Sequence, residues 1–173
     1  MNVIVRLEEP GDRNASILVE GAAFGSAEEP AIVEAVRDEP GSFALVAEDA
    51  GEVVGHVQFS RASVGPDPVV ALGPIAVRPD RQGRKIGRAL VEAGLAEARS
   101  RGESAVILLG SPDLYPRFGF ERASTFGLRN PFAGVREGDF VVAEEDFMLV
   151  PLDERARSLA GQVRWHEAFG QPG

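Results

Sequence analysis

The spacing of apolar residues in the first third of the chain changes from strand-like to helix-like and back. Val3 to Leu7 alternates as a short strand does. Asp12 is a residue typical of a helix start, and Gly25 followed by Ser26 is typical of a helix end. Glu-Asp-Ala-Gly at 48–51 joins two apolar runs as a hairpin turn does. The pattern therefore predicts a strand over 3–7, helices from Asp12 to Gly25 and over 30–37, and strands over 43–47 and 53–59.

The central part of the chain predicts a strand, a helix and a second strand. Residues 69–77 are apolar throughout, as in a strand buried on both faces, although Gly73-Pro74 should bend it or part it from a neighbour. Residues 86–101 have helical spacing that ends at Gly102, and 105–109 form another apolar run. Such a βαβ unit places its strands parallel with a right-handed crossover. Together with the earlier strands, it indicates a mixed α/β sheet with helices on both sides.

The last third of the chain is less regular. Ser111-Pro112 is typical of a helix start, Gly119 ends that short helix, and Phe120 begins a further strand. Residues 147–150 are expected to form the last strand. We expect a single domain over 1–152, with a C-terminal tail over 153–173 packing on the same domain.

Composition narrows the class of protein. The 173 residues are 44% hydrophobic and 26% charged, as in ordinary globular proteins, and the net charge is −9. An acidic surface repels phosphate backbones and anionic lipids, so neither nucleic acid nor a membrane is an expected partner. The absence of cysteine excludes disulfides and thiolate nucleophiles. The N-terminus does not resemble a signal peptide, and a cytoplasmic location is the expectation.

A basic, glycine-containing loop separates the buried strand from the following helix. Five cationic side chains lie between residues 78 and 88. Helix N-termini present unpaired N–H groups and partial positive charge, so they bind phosphates. The spacing matches neither the Walker A motif nor the dinucleotide motif. From the residues alone, an anion site and a merely solvated basic helix start are equally favoured.

A family resemblance decides between these alternatives. Residues 82–87, Gln-Gly-Arg-Lys-Ile-Gly, resemble the pyrophosphate loop of the GNAT N-acetyltransferase superfamily, Gln/Arg-x-x-Gly-x-Gly/Ala. The preceding Gly-Pro-Ile-Ala-Val-Arg-Pro at 73–79 resembles the family's fourth strand, and Tyr-Pro-Arg-Phe-Gly-Phe at 115–120 its Tyr-x-x-x-Gly-Phe motif. The runs at 109–128, 147–152 and 161–169 resemble a bacterial subgroup of predicted N-acetyltransferases. The resemblance implies a GNAT fold with a centrally splayed sheet.

The resemblance also implies acetyl-CoA as co-substrate and identifies the residues that hold it. Backbone groups of three strand residues would bind the pantetheine arm, and the loop would bind the pyrophosphate through its N–H groups. Lys85 departs from the family, which has glycine there, and its side chain could crowd the phosphate or require strained dihedrals. The cofactor-binding residues implied are Ile75, Ala76, Val77, Gln82, Gly83, Arg84, Lys85, Ile86, Gly87 and Arg88.

Tyr115 is the candidate catalytic residue. Its position matches the family's tyrosine, and a phenol with a pKa near 10 can protonate a departing thiolate. The implied reaction is direct attack of a neutral amine on the thioester. The alternative is a packing tyrosine beside Phe118 and Phe120.

The acceptor side of the site is less distinct. Phe24, Glu28 and Glu29 lie where the family's acceptor loop falls, and His56 is a fourth candidate, although surface carboxylates are usually solvated and mid-strand histidines usually structural. Two distant histidines make a metal site improbable. We expect an amine acceptor, no metal and, by family analogy, a homodimer. Two alternatives stay open: a catalytically silent acyl-CoA-binding sensor, and an unrelated anion-binding domain.

Overall fold

The structure, a computed structural model, describes residues 2–170, in which it contains three α-helices and ten β-strands. No helix in this range has both the length and the hydropathy needed to cross a bilayer. The helices are α1 (Arg13–Phe24), α2 (Glu28–Val36) and α3 (Ile86–Ser100). The strands are β1 (Val3–Leu7), β2 (Phe43–Asp49), β3 (Glu52–Val64), β4 (Asp67–Val77), β5 (Ala105–Leu109), β6 (Glu121–Arg122), β7 (Arg136–Glu137), β8 (Phe140–Val141), β9 (Phe147–Pro151) and β10 (Val163–Arg164).

Contacts within the chain group its residues into two compact units, the first of which contains Met1–Ser60 and Leu72–Glu97. In this unit β1 pairs antiparallel with β2, and β2 antiparallel with β3, in the order β1-β2-β3-β4. The predicted hairpin between β2 and β3 is confirmed. Its turn places Ala50 and Gly51 at φ values of 52° and 81°.

Helix α3 packs closely on β3 in the first unit because glycines occur where the two elements approach. A Cβ atom on Gly94 would overlap the ring of Phe59, and one on Gly55 would lie 3.0 Å from Cδ1 of Leu90. The Phe59 ring is fully buried and stacks on Phe43, with 4.6 Å between the ring centroids. A larger residue at Gly94 would therefore force the core to rearrange.

The second unit contains Arg61–Ala71 and Ala98–Gly173. Here β4 and β5 run parallel, as the βαβ pattern predicted, through the pairs Val70↔Val106 and Ala71↔Ile107. Strand β5 pairs antiparallel with β9 along its whole length, β9 pairs with β6, and β10 pairs with the end of β3. The order within this unit is β4-β5-β9-β6.

The core of the second unit includes residues from the C-terminal segment. Ala156, Leu159 and Val163 are buried in it, and Trp165 packs edge-on against Phe147 at 5.2 Å between ring centroids. The predicted C-terminal tail spans 153–173, and its residues 171–173 lie outside the part of the chain that the structure describes. The other members of this core are Ala62, Val64, Val69, Ala71, Ala105, Ile107, Ala123, Leu128, Phe147 and Leu149.

The irregular last third differs from the sequence prediction. The short helix expected after Ser111 is a turn followed by a 3₁₀ turn, Tyr115–Phe118, which Gly119 ends at a φ of 94°. The seven residues between Ser111 and Gly119, one of them Pro116, are too few for a stable α-helix. Strands β7, β8 and β10 were not predicted, because two-residue strands have no readable period.

Helix α1 has the predicted bounds but buries polar residues. Ser16, Val19 and Glu20 are its buried residues, whereas Leu18 is 73% exposed and Phe24 46% exposed. Hydrophobicity therefore does not set the orientation of this helix. A buried glutamate needs a partner, and the contacts of Glu20 described below explain the orientation.

Candidate active site

The loop between β4 and α3 has a left-handed backbone at two positions. Gly83 has a φ of 76° and Lys85 a φ of 64°. Glycine adopts this conformation freely, whereas for lysine it costs on the order of 1–3 kcal/mol. The sequence analysis noted that a side chain at position 85 could require strained dihedrals, and the positive φ of Lys85 is such a conformation. Lys85 thus adopts a backbone conformation that is typical of glycine.

Helix α3 begins directly after this loop, at Ile86. The N–H groups of a first helical turn have no acceptor four residues back within the helix. The backbone N–H of Ala89 donates a hydrogen bond to the carbonyl oxygen of Lys85, with 3.1 Å between nitrogen and oxygen. A Cβ on Gly87 would lie 3.8 Å from Cγ2 of Val77, an ordinary contact, so the backbone there is not crowded. The helix start fits an anionic group such as a phosphate.

Cationic side chains around the loop are mostly engaged with carboxylates. Ion pairs at the surface contribute only about 0–1 kcal/mol, so an incoming phosphate can displace the exposed pairs among them. The guanidinium of Arg78 lowers the pKa of the Asp80 carboxyl through a side-chain hydrogen bond. The pairs are Arg78–Asp80 at 2.6 Å, Arg81–Asp49 at 3.2 Å and Arg88–Glu92 at 2.9 Å.

The second half of β4 has the bend that its sequence predicted. Gly73 has a φ of 134°, the Gly73-Pro74 peptide is cis, and the parallel ladder with β5 ends at Ala71. Ile75 and Val77 are half-buried and Ala76 is buried. The carbonyl of Val77 accepts a hydrogen bond from Nε2 of Gln82 at 3.0 Å. This bond links the loop to the strand that precedes it.

Tyr115 begins the 3₁₀ turn in the second unit and packs among small and aromatic residues. A Cβ on Gly110 would lie 2.5 Å from Cε2 of its ring, so only glycine fits at that position. The ring centroids of Phe118 and Phe120 lie 6.2 and 5.7 Å away. Burial raises the pKa of Tyr115 above its usual value of 10.0. The hydroxyl therefore stays protonated at neutral pH and can act as a proton donor.

A cavity of about 380 Å³ lies at the carboxyl end of β5 in the second unit. Its lining is mainly apolar, with two carboxylates, Glu137 and Asp146. A volume of this size suits a small molecule. The other lining residues are Leu109, Gly110, Ser111, Pro112, Phe140 and Val142.

The acceptor candidates near the junction of α1 and α2 differ in exposure. Phe24 and Glu28 are exposed, and the hydroxyl of Ser26 accepts a hydrogen bond from the N–H of Glu28 at 3.0 Å. Glu29 is half-buried, and its Oε2 atom is buried with no hydrogen-bond partner among the described residues. Of the three, Glu29 is the one whose carboxylate is turned inward.

His56 is fully buried, and its contacts were not foreseen. Nδ1 lies 2.6 Å from Oε1 of Glu20, which is also fully buried. The sequence analysis did not single out Glu20, because a glutamate in a helix is usually solvated. A signal was present: Ser16 and Glu20 are one turn apart on the same helical face. Within residues 2–170, no group of three or more acidic or histidine side chains could hold a metal ion.

Comparison with known proteins gives consistent matches. Residues 14–120 match the acetyltransferase (GNAT) family. The uncharacterized N-acetyltransferase YhbS of Escherichia coli (strain K12) is 32% identical over 174 residues, which cover 98% of this chain and 99% of YhbS. The crystal structure of E. coli YhbS in complex with CoA aligns with a TM-score of 0.85 over 100% of this chain and 94% of that chain, at 32% identity. A GNAT family acetyltransferase from Brucella melitensis in complex with acetyl-CoA aligns with a TM-score of 0.76 at 29% identity, covering 97% of this chain and 98% of that one.

Proposed function

The chain belongs to the acetyltransferase (GNAT) family, and from that premise we propose that it transfers the acetyl group of acetyl-CoA to an amine acceptor. Family membership follows from the match over residues 14–120 and from the 32% identity to YhbS. The structural matches confirm the mixed α/β GNAT fold that the motifs implied. Two of the matched structures hold CoA or acetyl-CoA, which supports acetyl-CoA as the co-substrate.

The observation that carries the proposal is the backbone shape of the loop before α3. Left-handed residues at Gly83 and Lys85 turn the chain directly into the first turn of the helix. Residues 82–88 would hold the pyrophosphate, mainly through backbone N–H groups. The cationic side chains of Arg84, Lys85 and Arg88 would add charge. The uncrowded backbone at Gly87 fits this role.

The second half of β4 would hold the pantetheine arm. Ile75, Ala76 and Val77 follow the bend at Gly73-Pro74, after the ladder with β5 has ended. Backbone groups released from a ladder can pair with the amides of a ligand as an added strand would. Because Gln82 already uses the carbonyl of Val77, the N–H groups and the carbonyl of Ile75 are the better candidates.

Bound acetyl-CoA supplies a thioester carbonyl for attack and a thiol as the leaving group. Tyr115 would donate its phenolic proton to the departing sulfur, since its raised pKa keeps it protonated. A backbone N–H near Ala76 or Val77 would donate to the oxygen on which negative charge develops. No residue of the chain forms a covalent bond with the acetyl group in this mechanism.

The acceptor would be a small amine or a peptide amine. The cavity at the end of β5 supports a small acceptor, and Gly110, which lines it, also contacts the Tyr115 ring. Phe24, Glu28 and Glu29 would contribute to acceptor binding from the junction of α1 and α2.

A homodimer is also expected by family analogy, and light scattering measures the oligomeric state directly.

Turnover tests the proposed function. The folded protein is incubated with acetyl-CoA and a set of primary amines, namely ethylamine, tyramine, putrescine and an alanyl peptide. Released CoA thiol is followed by colour reaction, and the acetylated amine by mass spectrometry. Amine-dependent thiol release with an acetylated product supports the transferase. Tight acetyl-CoA binding without any acetylated product would instead favour a silent acyl-CoA sensor.

A further inference from the structure

A short hairpin forms one wall of the cavity at the carboxyl end of β5. Glu137 on β7 and Phe140 on β8 are directly opposite each other in the antiparallel register, and both line the cavity. The side chains of such a pair lie on one face, with their Cβ atoms about 4.5–5.5 Å apart, so the carboxylate and the ring can contact the same molecule. The neighbouring pair, Arg136 and Val141, belongs to the other face of the hairpin.

Large apolar side chains of the cavity are exposed to solvent. Phe140 is 57% exposed, and Leu109, at the end of β5, is 37% exposed. Val142, which also lines the cavity, is buried. Exposed apolar groups around a cavity are typical of a place where the apolar part of a ligand is removed from water. The cavity therefore fits a small molecule with an aliphatic or aromatic body.

The charged residues that line the cavity are both acidic, Glu137 and Asp146, and no arginine, lysine or histidine of the described chain joins them there. Asp146 already has contacts with the backbone. Its Oδ2 accepts a hydrogen bond from the N–H of Ala143 at 2.8 Å, and its carbonyl accepts one from the N–H of Gly110 at 2.8 Å. Glu137 makes no hydrogen bond or ion pair with any residue in the range 2–170. The Glu137 carboxylate is thus available to a cation.

The cavity adjoins the candidate proton donor. Gly110 lines the cavity, and a Cβ on Gly110 would lie only 2.5 Å from Cε2 of the Tyr115 ring. The absence of a side chain at this position lets the ring approach the cavity wall. A molecule in the cavity can therefore have one end near Tyr115 and the other near Glu137.

We propose that the acceptor is an amine with an apolar body and a second positive charge, that Glu137 binds this second charge, and that Phe140 covers the body. The attacking nitrogen must be neutral, because only its lone pair can form the C–N bond. A carboxylate beside that nitrogen would favour its protonated form. A second ammonium group pairs with Glu137 and leaves the attacking nitrogen, near Tyr115, free to lose its proton. Diaminoalkanes are the simplest molecules of this class.

This inference rests on the proposed function and narrows its acceptor from any amine to one class. Alkyl amines have a pKa of about 10.4, so a diamine carries two positive charges at neutral pH and keeps one after the other nitrogen has been neutralised. A monoamine has only one charge, which it loses before attack. A carboxylate at the far end of the amine would be repelled by Glu137 and Asp146.

The kinetic test compares three amines on a four-carbon chain, namely putrescine, butylamine and 4-aminobutyrate, whose far ends are positive, neutral and negative. We expect kcat/KM for the wild type to fall in that order, with putrescine about tenfold above butylamine, as for a hydrogen bond to a charged group. Equal or better use of butylamine would overturn the proposal.

Variants of the hairpin assign the selectivity to its residues. Glu137→Gln should lose most of the putrescine advantage through a higher KM and change butylamine turnover little. Phe140→Ala should raise KM for both amines. The matched control is Glu145→Gln, an exposed carboxylate that does not line the cavity, and it should keep the wild-type order. An equal loss with both amines in Glu137→Gln, or the same loss in Glu145→Gln, would contradict the role of Glu137.

A binding measurement separates this inference from the proposed function. CoA-saturated protein carries no acetyl group, so calorimetry with each amine reports affinity without turnover. Putrescine should bind the wild type about tenfold more tightly than butylamine, and Glu137→Gln should remove the difference. Putrescine that binds no better than butylamine would overturn the inference even if amines are acetylated. Selective putrescine binding without turnover of any amine would support the inference on the cavity and count against the proposed function.

Discussion

The side-chain amide of Gln82 donates a hydrogen bond of 3.0 Å to the backbone carbonyl of Val77. This contact ties the loop that begins α3 to the strand that enters it. A net hydrogen bond of this kind contributes about 1 kcal/mol. Because the contact orients the loop on which the cofactor proposal depends, its removal should weaken acetyl-CoA binding and leave the fold intact.

We therefore expect Gln82→Ala to raise the Kd for acetyl-CoA by roughly fivefold, the equivalent of about 1 kcal/mol. Calorimetry measures the Kd. The control is Gln162→Ala, which changes an exposed glutamine of the second unit. The control should bind like the wild type. Equal affinity of Gln82→Ala and the wild type would show that this contact does not organise the loop for the cofactor.

Gly94 allows α3 to lie against Phe59, so Gly94→Ala should destabilise the protein. A new Cβ would overlap a fully buried ring that cannot move freely, and such overpacking costs about 1–3 kcal/mol. Urea unfolding measures the loss. Gly87→Ala on the same helix is the matched control, because its nearest neighbour would be 3.8 Å away and alanine favours helices. A Gly94→Ala variant as stable as the wild type would contradict the packing described here.

Tyr115→Phe should lower kcat by about 100-fold or more and leave acetyl-CoA binding unchanged, since only the proton donor is lost. The protonated phenol is the active form, and burial raises its pKa above 10.0. Wild-type activity should therefore persist through pH 10.0 and fall only above it, as the phenol ionises. Steady-state rates across pH check both effects. Full activity of Tyr115→Phe would leave Tyr115 with a packing role.

Glu20 should make stability depend on pH in a specific direction. Its folded-state pKa is raised, mainly by burial, so its favourable contribution is present below its unfolded pKa and is lost as pH rises through the folded value. Glu20→Gln lacks this group. We expect its urea midpoint, relative to the wild type, to improve as pH rises from 4 to 7. A constant difference between the two proteins over that range would mean that Glu20 does not titrate as described.

The sequence predicted the regular parts of the fold well. Helix α3 and strand β5 have the predicted bounds within one residue, because an uninterrupted helical period and an apolar run leave few alternatives. Tyr115 stands on a 3₁₀ turn rather than a helix, since Pro116 and Gly119 limit the segment. The motif still identified the residue, although it could not give its ring contacts.

The buried side of the first unit could not be predicted in the same way. Glu20 and His56 are 36 residues apart in the sequence, and no local sequence pattern indicates that they form a pair. Leu18 on α1 is exposed, whereas the buried pair of Glu20 and His56 sets the orientation of the helix. Pairing between distant polar residues depends on tertiary structure, which periodicity does not encode.

Calorimetric titration with acetyl-CoA tests the central claim most directly, with ATP and inorganic phosphate as controls and Lys85→Gly as the matched variant. Lys85 has the left-handed conformation typical of glycine, with a φ of 64°, so the wild type should bind acetyl-CoA with a Kd near or below about 1 μM and bind the controls far more weakly. Lys85→Gly should bind at least as tightly. A folded wild-type protein that binds no acetyl-CoA, or binds it no better than phosphate, would contradict the account.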